Sequence, residues 1–196
     1  MLSDILTLSF ALIFADNIIF GSSLGAGTLL TMSGKKRYLK GFCLSALYLM
    51  TVGTTLSYFA DLIFETLTFS RYVRPVGFVL VIGIIYIITL LALWKFAGAR
   101  FENMKRYIHV SAFNSAVLGS MLLASRNLRG GYFDLGNTLL GYFLYGLFSG
   151  LGFCLAALIC SLVYERLHSD KIPKSFRGYP AMLIFLGFIS MALYGL

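Results

Sequence analysis

The sequence predicts an all-α integral membrane protein with six transmembrane helices, arranged as two inverted three-helix repeats with interrupted first and fourth helices. Three observations lead to this prediction. Of the 196 residues, 59% are hydrophobic and only 12% are charged, whereas an ordinary soluble domain carries about 25% charged residues. The apolar residues fall into six long runs, and the first and fourth runs each contain an asparagine followed by small residues.

The six apolar runs are close to the length of about 20 residues that a helix needs to cross a hydrocarbon layer roughly 30 Å thick. We expect spans over residues 2–31, 42–66, 76–97, 108–124, 135–164 and 179–196. Almost no sequence is left for a soluble domain. A repeat unit of three spans predicts halves at 1–98 and 99–196, which together form one membrane domain.

The first run carries polar and small residues where a continuous helix would be apolar. Asp16 and Asn17 lie inside it, and Gly21, Gly25 and Gly27 follow. An ionisable group at membrane depth costs at least about 2.5 to 3.5 kcal/mol on insertion scales, so Asp16 should face protein or water. It is interpreted as a cation ligand or proton site. The alternatives are a protonated acid bonded to a neighbouring helix, or an acid nearer the membrane surface.

The fourth run contains a loose counterpart of the first. Asn114 and Ser115 are followed by Gly119, again an asparagine with small residues after it. Because three spans is an odd number, the second half enters the membrane from the opposite side, which makes the repeats inverted. Interrupted helices of such repeats meet near the midplane, where free backbone groups face a site. Alternatively, the small residues form a face for tight helix packing.

The basic residues predict that both termini lie outside the cytoplasm. Twelve of the sixteen lysines and arginines fall in the loops after the first, third and fifth runs, and short cytoplasmic loops hold the excess of basic residues. The second and fourth connections hold only Arg71, Arg74, Arg126 and Arg129. Topology and anionic headgroups explain the net charge of +8, so we expect no nucleic-acid partner.

The segment before the last run carries a family resemblance. Residues 164–178 read YERLHSDKIPKSFRG. They resemble the ERL, D-x-P and F-R-G signature of two related proteins: the A subunit of the Rnf complex, and the E subunit of the sodium-pumping NADH:quinone reductase. Asn114 begins NSAVLG, which is similar to that family's N-C-A-V-L-G; residues 17–27 and 33–36 resemble its N…L-G-x-C and S-K-K. The resemblance covers the whole chain.

The resemblance implies a multi-pass subunit of a redox-driven ion pump in the inner membrane. Such a subunit pairs with a homologous six-helix subunit of opposite topology, and each supplies two cysteines to one [2Fe-2S] cluster near the middle of the bilayer. The cluster passes electrons between a cytoplasmic ferredoxin-like or NADH-oxidising module and flavins on the far side. This electron transfer is coupled to Na⁺ or H⁺ transport.

The sequence departs from the family pattern at both cluster positions. Gly27 matches the first cysteine and Ser115 matches the second, and neither can act as a thiolate ligand. Cys43, Cys154 and Cys160 do not replace them and are interpreted as small apolar residues. We therefore expect no metal bound by this chain alone. The sequence leaves open whether a [2Fe-2S] cluster lies at the interface with a partner subunit.

Two functions follow from these observations. The first is a subunit of an Rnf/Nqr-like electron-transport complex with flavin and iron-sulfur partners, in which this chain is at most an electron-relay or non-catalytic subunit. The second is a non-redox ion or small-solute transporter built on the same fold. Both use the same predicted midplane site at the broken-helix tips: Asp16, Asn17, Gly25, Gly27, Asn114 and Ser115.

The charged segment from 165 to 177 favours the first function. It keeps the family signature, and we expect its cytoplasmic face to dock a soluble redox subunit. The alternative is that it only anchors the last span through its basic residues. The predicted docking residues are Glu165, Arg166, Asp170 and Arg177.

Overall fold

The computed structural model describes residues 2–66, 69–96, 98, 101–131, 137–169 and 172–194. These residues form helices and connecting turns, with no strand among them, which confirms the all-α prediction. The helices are α1 (Leu2–Phe10), continued by a π-helical turn (Ala11–Ala15), α2 (Ala26–Ser33), α3 (Lys36–Phe64), α4 (Ser70–Phe96), α5 (Phe101–Ala112), α6 (Ser115–Arg129), α7 (Leu139–Leu167) and α8 (Tyr179–Leu193).

Three helices in the described part of the chain are long and apolar enough to cross a membrane. They are α3, α4 from Tyr72 onward, and α7. Helices α5 and α6 meet at a 50° bend and together make a fourth candidate span. The helical stretch Ser3–Ala15 and helix α8 are apolar but shorter. Length and composition therefore support three or four spans, and the six-span inverted repeat stays a prediction.

The order of the helices repeats once along the chain. An interrupted helix (α1 with α2) is followed by the 29-residue α3 and then by α4. A second interrupted helix (α5 with α6) is followed by the 29-residue α7 and then by α8. The division into halves at 1–98 and 99–196 stays a prediction.

Helices α3 and α7 pack along each other at the centre of the molecule. Two glycines of α7 permit the close approach. A methyl group at Gly146 would overlap the hydroxyl of Thr54, and one at Gly150 would lie 3.1 Å from the Cα of Leu47. Small residues at a helix crossing let the two backbones approach closely. The interrupted helices pack against this central pair.

The outward faces of α4 and α8 are apolar, as a lipid-facing surface requires. Large aliphatic and aromatic side chains along both helices are exposed on the isolated chain. On α4 they include Val79, Leu80, Ile84, Ile87, Ile88 and Leu91; on α8 they include Leu183, Ile184 and Phe188.

Several charged residues that were predicted to lie in loops are found inside helices, and those predictions of position are wrong. Arg74 lies in α4, and Arg126 and Arg129 lie in the last turn of α6. Glu165 and Arg166 belong to the end of α7. The helices extend beyond the apolar runs because each added residue gains a backbone hydrogen bond. Arginines near a helix C-terminus also interact favourably with its partial negative charge.

Candidate functional site

The first helix is interrupted between the π-helical turn and α2. The turn ends where the backbone N–H of Asp16 donates to the carbonyl of Ala11 at 2.7 Å. Ser23 and Gly25 then adopt φ values of 55° and 82°. This left-handed conformation suits glycine and is uncommon for serine, so a helix cannot continue through the segment.

Asn17 fixes the first break against α7. Its Nδ2 donates to the carbonyls of Ile13 at 2.8 Å and Gly152 at 2.9 Å, and its Oδ1 accepts from the N–H of Ile19 at 2.9 Å. The Asn17 side chain is fully buried. A methyl group at Gly152 would lie 2.7 Å from the carbonyl oxygen of Leu12 and 2.9 Å from the amide of Asn17. Only glycine at that position allows this approach.

We expect Asn17→Ala to lower the free energy of unfolding by about 2 kcal/mol, because buried backbone groups lose their hydrogen-bond partners. Equilibrium unfolding in detergent measures this change. Asp16→Asn is the matched control, since the Asp16 side chain is exposed and makes no hydrogen bond or ion pair with any residue that the structure describes. Equal losses in the two variants would contradict the assigned role of Asn17.

The second interruption lies at Phe113 and Asn114, between α5 and α6. The Oδ1 of Asn114 accepts from the N–H of Ala116 at 3.1 Å and so caps α6. The Nδ2 of the same side chain is buried and has no hydrogen-bond partner within the described residues. A buried donor without a partner costs free energy. The second break therefore contains a buried donor that no described residue satisfies.

The two breaks meet at Gly25 and Ser115. The backbone N–H of Gly25 donates to the Oγ of Ser115 at 2.9 Å. A methyl group on Gly25 would lie 2.7 Å from both the Cβ of Ala116 and the Oδ1 of Asn114. The contact joins the start of α2 to the start of α6, so two helix N-termini converge. The positive ends of two helix dipoles therefore lie close together and favour negative charge nearby.

Polar groups of both breaks are exposed on the surface of the chain. We call this set the break surface; it comprises Asp16, Ser22, Ser23, Gly27 and Ser115. Beside Gly27 the space is open, because an added methyl group would have no atom within 4 Å. Lipid cannot satisfy polar groups at membrane depth. We therefore expect the break surface to be covered by protein or water.

The structure brings together only part of the predicted midplane site. Three of its residues are in direct contact: Gly25, Asn114 and Ser115. Gly27 lies in the first turn of α2, close to this contact in the chain. Asn17 bonds to α7 instead, and Asp16 lies exposed at the other end of the first break.

Comparison with known proteins identifies the family. Residues 5–196 match the family described as Rnf-Nqr subunit, membrane protein. The chain belongs to the Rnf-Nqr family. This membership confirms the resemblance drawn from the sequence motifs.

Relatives of this Rnf-Nqr chain are similar over nearly its full length. Those named as the A subunit of an ion-translocating oxidoreductase complex include the protein of Cronobacter sakazakii, 26% identical over 194 residues, which covers 99% of this chain and 96% of the relative. The protein of Glaesserella parasuis is 28% identical over 191 residues, with 97% and 94% covered. That of Colwellia psychrerythraea is 25% identical over 194 residues, with 99% and 96% covered.

In this Rnf-Nqr chain the residues present do not fit an iron-sulfur cluster held by the chain alone. Gly27 and Ser115 stand where the resemblance places cysteines, and neither supplies a thiolate. Cys160 is buried in the core, while the Sγ of Cys154 lies 3.5 Å from the carbonyl oxygen of Cys43. Within the described residues, no group of three His, Cys, Asp or Glu side chains comes together that could hold a metal ion.

The predicted docking residues of this family member lie at the end of α7 and beyond it. Glu165 forms an ion pair with the Nζ of Lys36 at 2.6 Å, which links the end of α7 to the start of α3. Both side chains are exposed, so the pair contributes little stability. Arg166 is also exposed on the last turn of α7.

The rest of the docking segment leads into α8. Asp170 lies outside the described residues. Arg177 directs its Nη2 toward the carbonyl of Ile172 at 3.5 Å. At the start of α8, the hydroxyl of Tyr179 donates to the carbonyl of Gly27 at 3.0 Å. This bond connects the start of α8, directly after the family's C-terminal signature, to the break surface.

A buried ion-pair network, which was not predicted, joins four helices of the Rnf-Nqr chain. Asp61 of α3 is 1% exposed and lies 3.0 Å from the Nε of Arg74 and 3.6 Å from the Nη1 of Arg129. The hydroxyl of Tyr142 donates to its other oxygen at 2.8 Å. Arg129 also pairs with Glu65 at 2.7 Å. The available sequence signal was an acidic residue inside the second apolar run.

Proposed function

We propose that the chain is a membrane subunit of an Rnf/Nqr-like ion-translocating electron-transport complex, and that a homologous six-helix subunit docks on its break surface. The relatives named as the A subunit of an ion-translocating oxidoreductase complex support the first part. The observation that carries the second part is the contact of Gly25 with Ser115 beside exposed polar groups. Such groups inside apolar helices require a protein or water partner.

The proposal includes the arrangement in the membrane. The chain crosses the inner membrane six times as two inverted repeats, with both termini outside the cytoplasm. The repeated helix order and the placement of twelve of sixteen basic residues support this arrangement. The end of α7 and the segment after it then face the cytoplasm, where flavin or iron-sulfur subunits dock on Glu165, Arg166 and Arg177.

The electrostatics of the meeting point define the role of this chain. The N-termini of α2 and α6 converge beside the exposed Ser115, so the positive ends of two helix dipoles lie close together. This positive potential stabilises negative charge on a group that the partner subunit holds. The chain is then a positioning subunit without a catalytic residue of its own, in a complex that moves Na⁺ or H⁺.

A non-redox ion or small-solute transporter is the second candidate. The observation that favours it is the exposed carboxylate of Asp16 at the C-terminal end of the π-helical turn. Unwound carbonyls and C-terminal helix ends coordinate cations in inverted-repeat transporters, and hard cations take oxygen ligands. Under this function the site lies at Asp16 rather than at the converging N-termini.

Purification of the chain with the proteins that accompany it distinguishes the two functions. The protein is tagged in its own membrane and extracted in mild detergent. Partners are then identified, and iron, acid-labile sulfide and flavin are measured per complex. A homologous membrane subunit together with flavoproteins supports the electron-transport proposal. A metal-free oligomer of this chain alone contradicts it and supports the transporter.

We expect Gly27→Leu to remove the homologous subunit from the purified complex, with recovery falling about tenfold or more, because a bulky group at an interface core disrupts close packing. The open space beside Gly27 lets the chain itself accept the side chain. Gly187→Leu in α8 is the matched control, since Gly187 is also exposed and has no atom within 4 Å of an added methyl group. Equal recovery from both variants would place the partner on another surface.

A further inference from the structure

A cavity opens between α4 and α6, at the end of the molecule where α6 ends and α4 begins. Its volume is about 550 Å³. It is lined by Arg74, Leu122, Ser125, Arg126, Arg129 and Gly130. Three arginines, Arg74, Arg126 and Arg129, surround this one opening.

The charge in this cavity is only partly compensated by the protein. Asp61 pairs with Arg74 and Arg129, and Glu65 pairs with Arg129. Arg126 is exposed and makes no ion pair or side-chain hydrogen bond with any residue that the structure describes. Three arginines face two carboxylates, which leaves one positive charge at the opening.

The geometry of the lining suits a phosphate attached to an apolar chain. A guanidinium binds phosphate through two parallel hydrogen bonds. Arg126 lies one helical turn beyond Leu122 on the same face of α6. The cavity lining therefore has a charged part at Arg126 next to an apolar part at Leu122. The exposed apolar face of α4, with Val79 and Leu80, begins next to Arg74. An acyl chain can follow that face.

The position of the cavity in a membrane protein favours a lipid source for the phosphate. Arg126 and Arg129 lie in the last turn of α6, where the apolar sequence ends. Basic side chains at such a border lie at the level of the headgroups. Phosphodiester groups are therefore the most concentrated anions available to this opening.

We propose that the cavity between α4 and α6 binds a phosphate group, supplied by the headgroup of an anionic membrane phospholipid. Arg126 is the main ligand, and Arg74 and Arg129 provide the surrounding positive field. This site is separate from the break surface and does not depend on the redox or transport function.

Native mass spectrometry of the purified full chain tests the site. The detergent-solubilised protein is titrated with phosphatidylglycerol, phosphatidylcholine and inorganic phosphate. We expect phosphatidylglycerol to bind more tightly than phosphatidylcholine. Arg126→Gln should weaken phosphatidylglycerol binding about tenfold or more, as expected for a lost charge-assisted hydrogen bond. The affinity of Arg126→Lys for phosphatidylglycerol should lie between those of the wild type and Arg126→Gln. Lysine keeps the positive charge but cannot make the two parallel hydrogen bonds of a guanidinium.

Arg37→Gln is the matched control, because it removes the same charge from an exposed position at the start of α3, away from the cavity lining. Inorganic phosphate could bind where phosphatidylglycerol does not, and its binding could show the same dependence on Arg126. That result supports the site but assigns the phosphate to solution rather than to a lipid headgroup. Equal lipid binding by the wild type and Arg126→Gln overturns the proposal. Equal losses in Arg126→Gln and Arg37→Gln also overturn it, since they indicate general charge attraction. Thermal unfolding confirms that each variant is folded.

Discussion

Asp61→Ala is expected to lower the free energy of unfolding by about 3 to 5 kcal/mol, because it leaves the half-buried Arg74 without its counter-ion and leaves Arg129 paired with Glu65 alone. Arg74 and Arg129 lie 3.0 and 3.6 Å from Asp61, and both arginine side chains are only 23% exposed. Tyr142 loses its hydrogen-bond acceptor at the same time. Equilibrium unfolding of the purified chain measures the loss.

Glu65→Gln provides the comparison for Asp61→Ala. Glu65 pairs with the same Arg129 but is 38% exposed, so its removal should cost at most about 1 kcal/mol. Adding Arg74→Met to Asp61→Ala should recover part of the loss, because one unpaired charge is removed. If the two single acidic variants lose equal stability, Asp61 is not the centre of the network.

Gly25→Ala is expected to destabilise the chain by about 2 to 4 kcal/mol, through left-handed backbone strain and overlap with its neighbours. Gly25 has a φ of 82°, and the new methyl group would approach Ala116 and Asn114 to 2.7 Å. The start of α2 must then move away from α6. The bond from Gly25 to Ser115 is lost as a result.

Gly27→Ala is the control for the destabilisation expected from Gly25→Ala. Gly27 lies two residues further along the chain, and an added methyl group there meets no atom within 4 Å. We expect its thermal unfolding temperature to match that of the wild type. Comparable losses from the two substitutions would show that the contact between the breaks does not hold α2 in place.

Features of the fold that depend on local sequence were predictable. A high apolar content indicated membrane helices, and polar and small residues in the first and fourth runs coincide with the observed interruptions before α2 and α6. Glycine and asparagine favour left-handed or capping conformations whatever surrounds them. The motifs also indicated the family, which the match over residues 5–196 confirms.

Features that depend on distant partners were not predictable from one sequence. Asn17 was interpreted as part of a midplane site, yet its amide bonds to Gly152, 135 residues away. Cys43 and Cys154 are in contact, although 111 residues separate them. The partners of Asp61 were not predictable because Arg74, Arg129 and Tyr142 lie on three other helices. No local sequence pattern predicts contacts between residues so far apart in the chain.

The hydrogen bond between Asn17 and Gly152 joins two residues that the ribosome adds at different times. At about 5 to 20 residues per second, the ribosome adds Gly152 roughly 7 to 27 s after Asn17, because 135 residues separate them. During that interval the newly inserted first helix holds an amide whose native acceptor does not yet exist. The N-terminal half by itself would therefore be an incomplete product, and a gene split between α4 and α5 should yield stable protein only when both fragments are synthesised together.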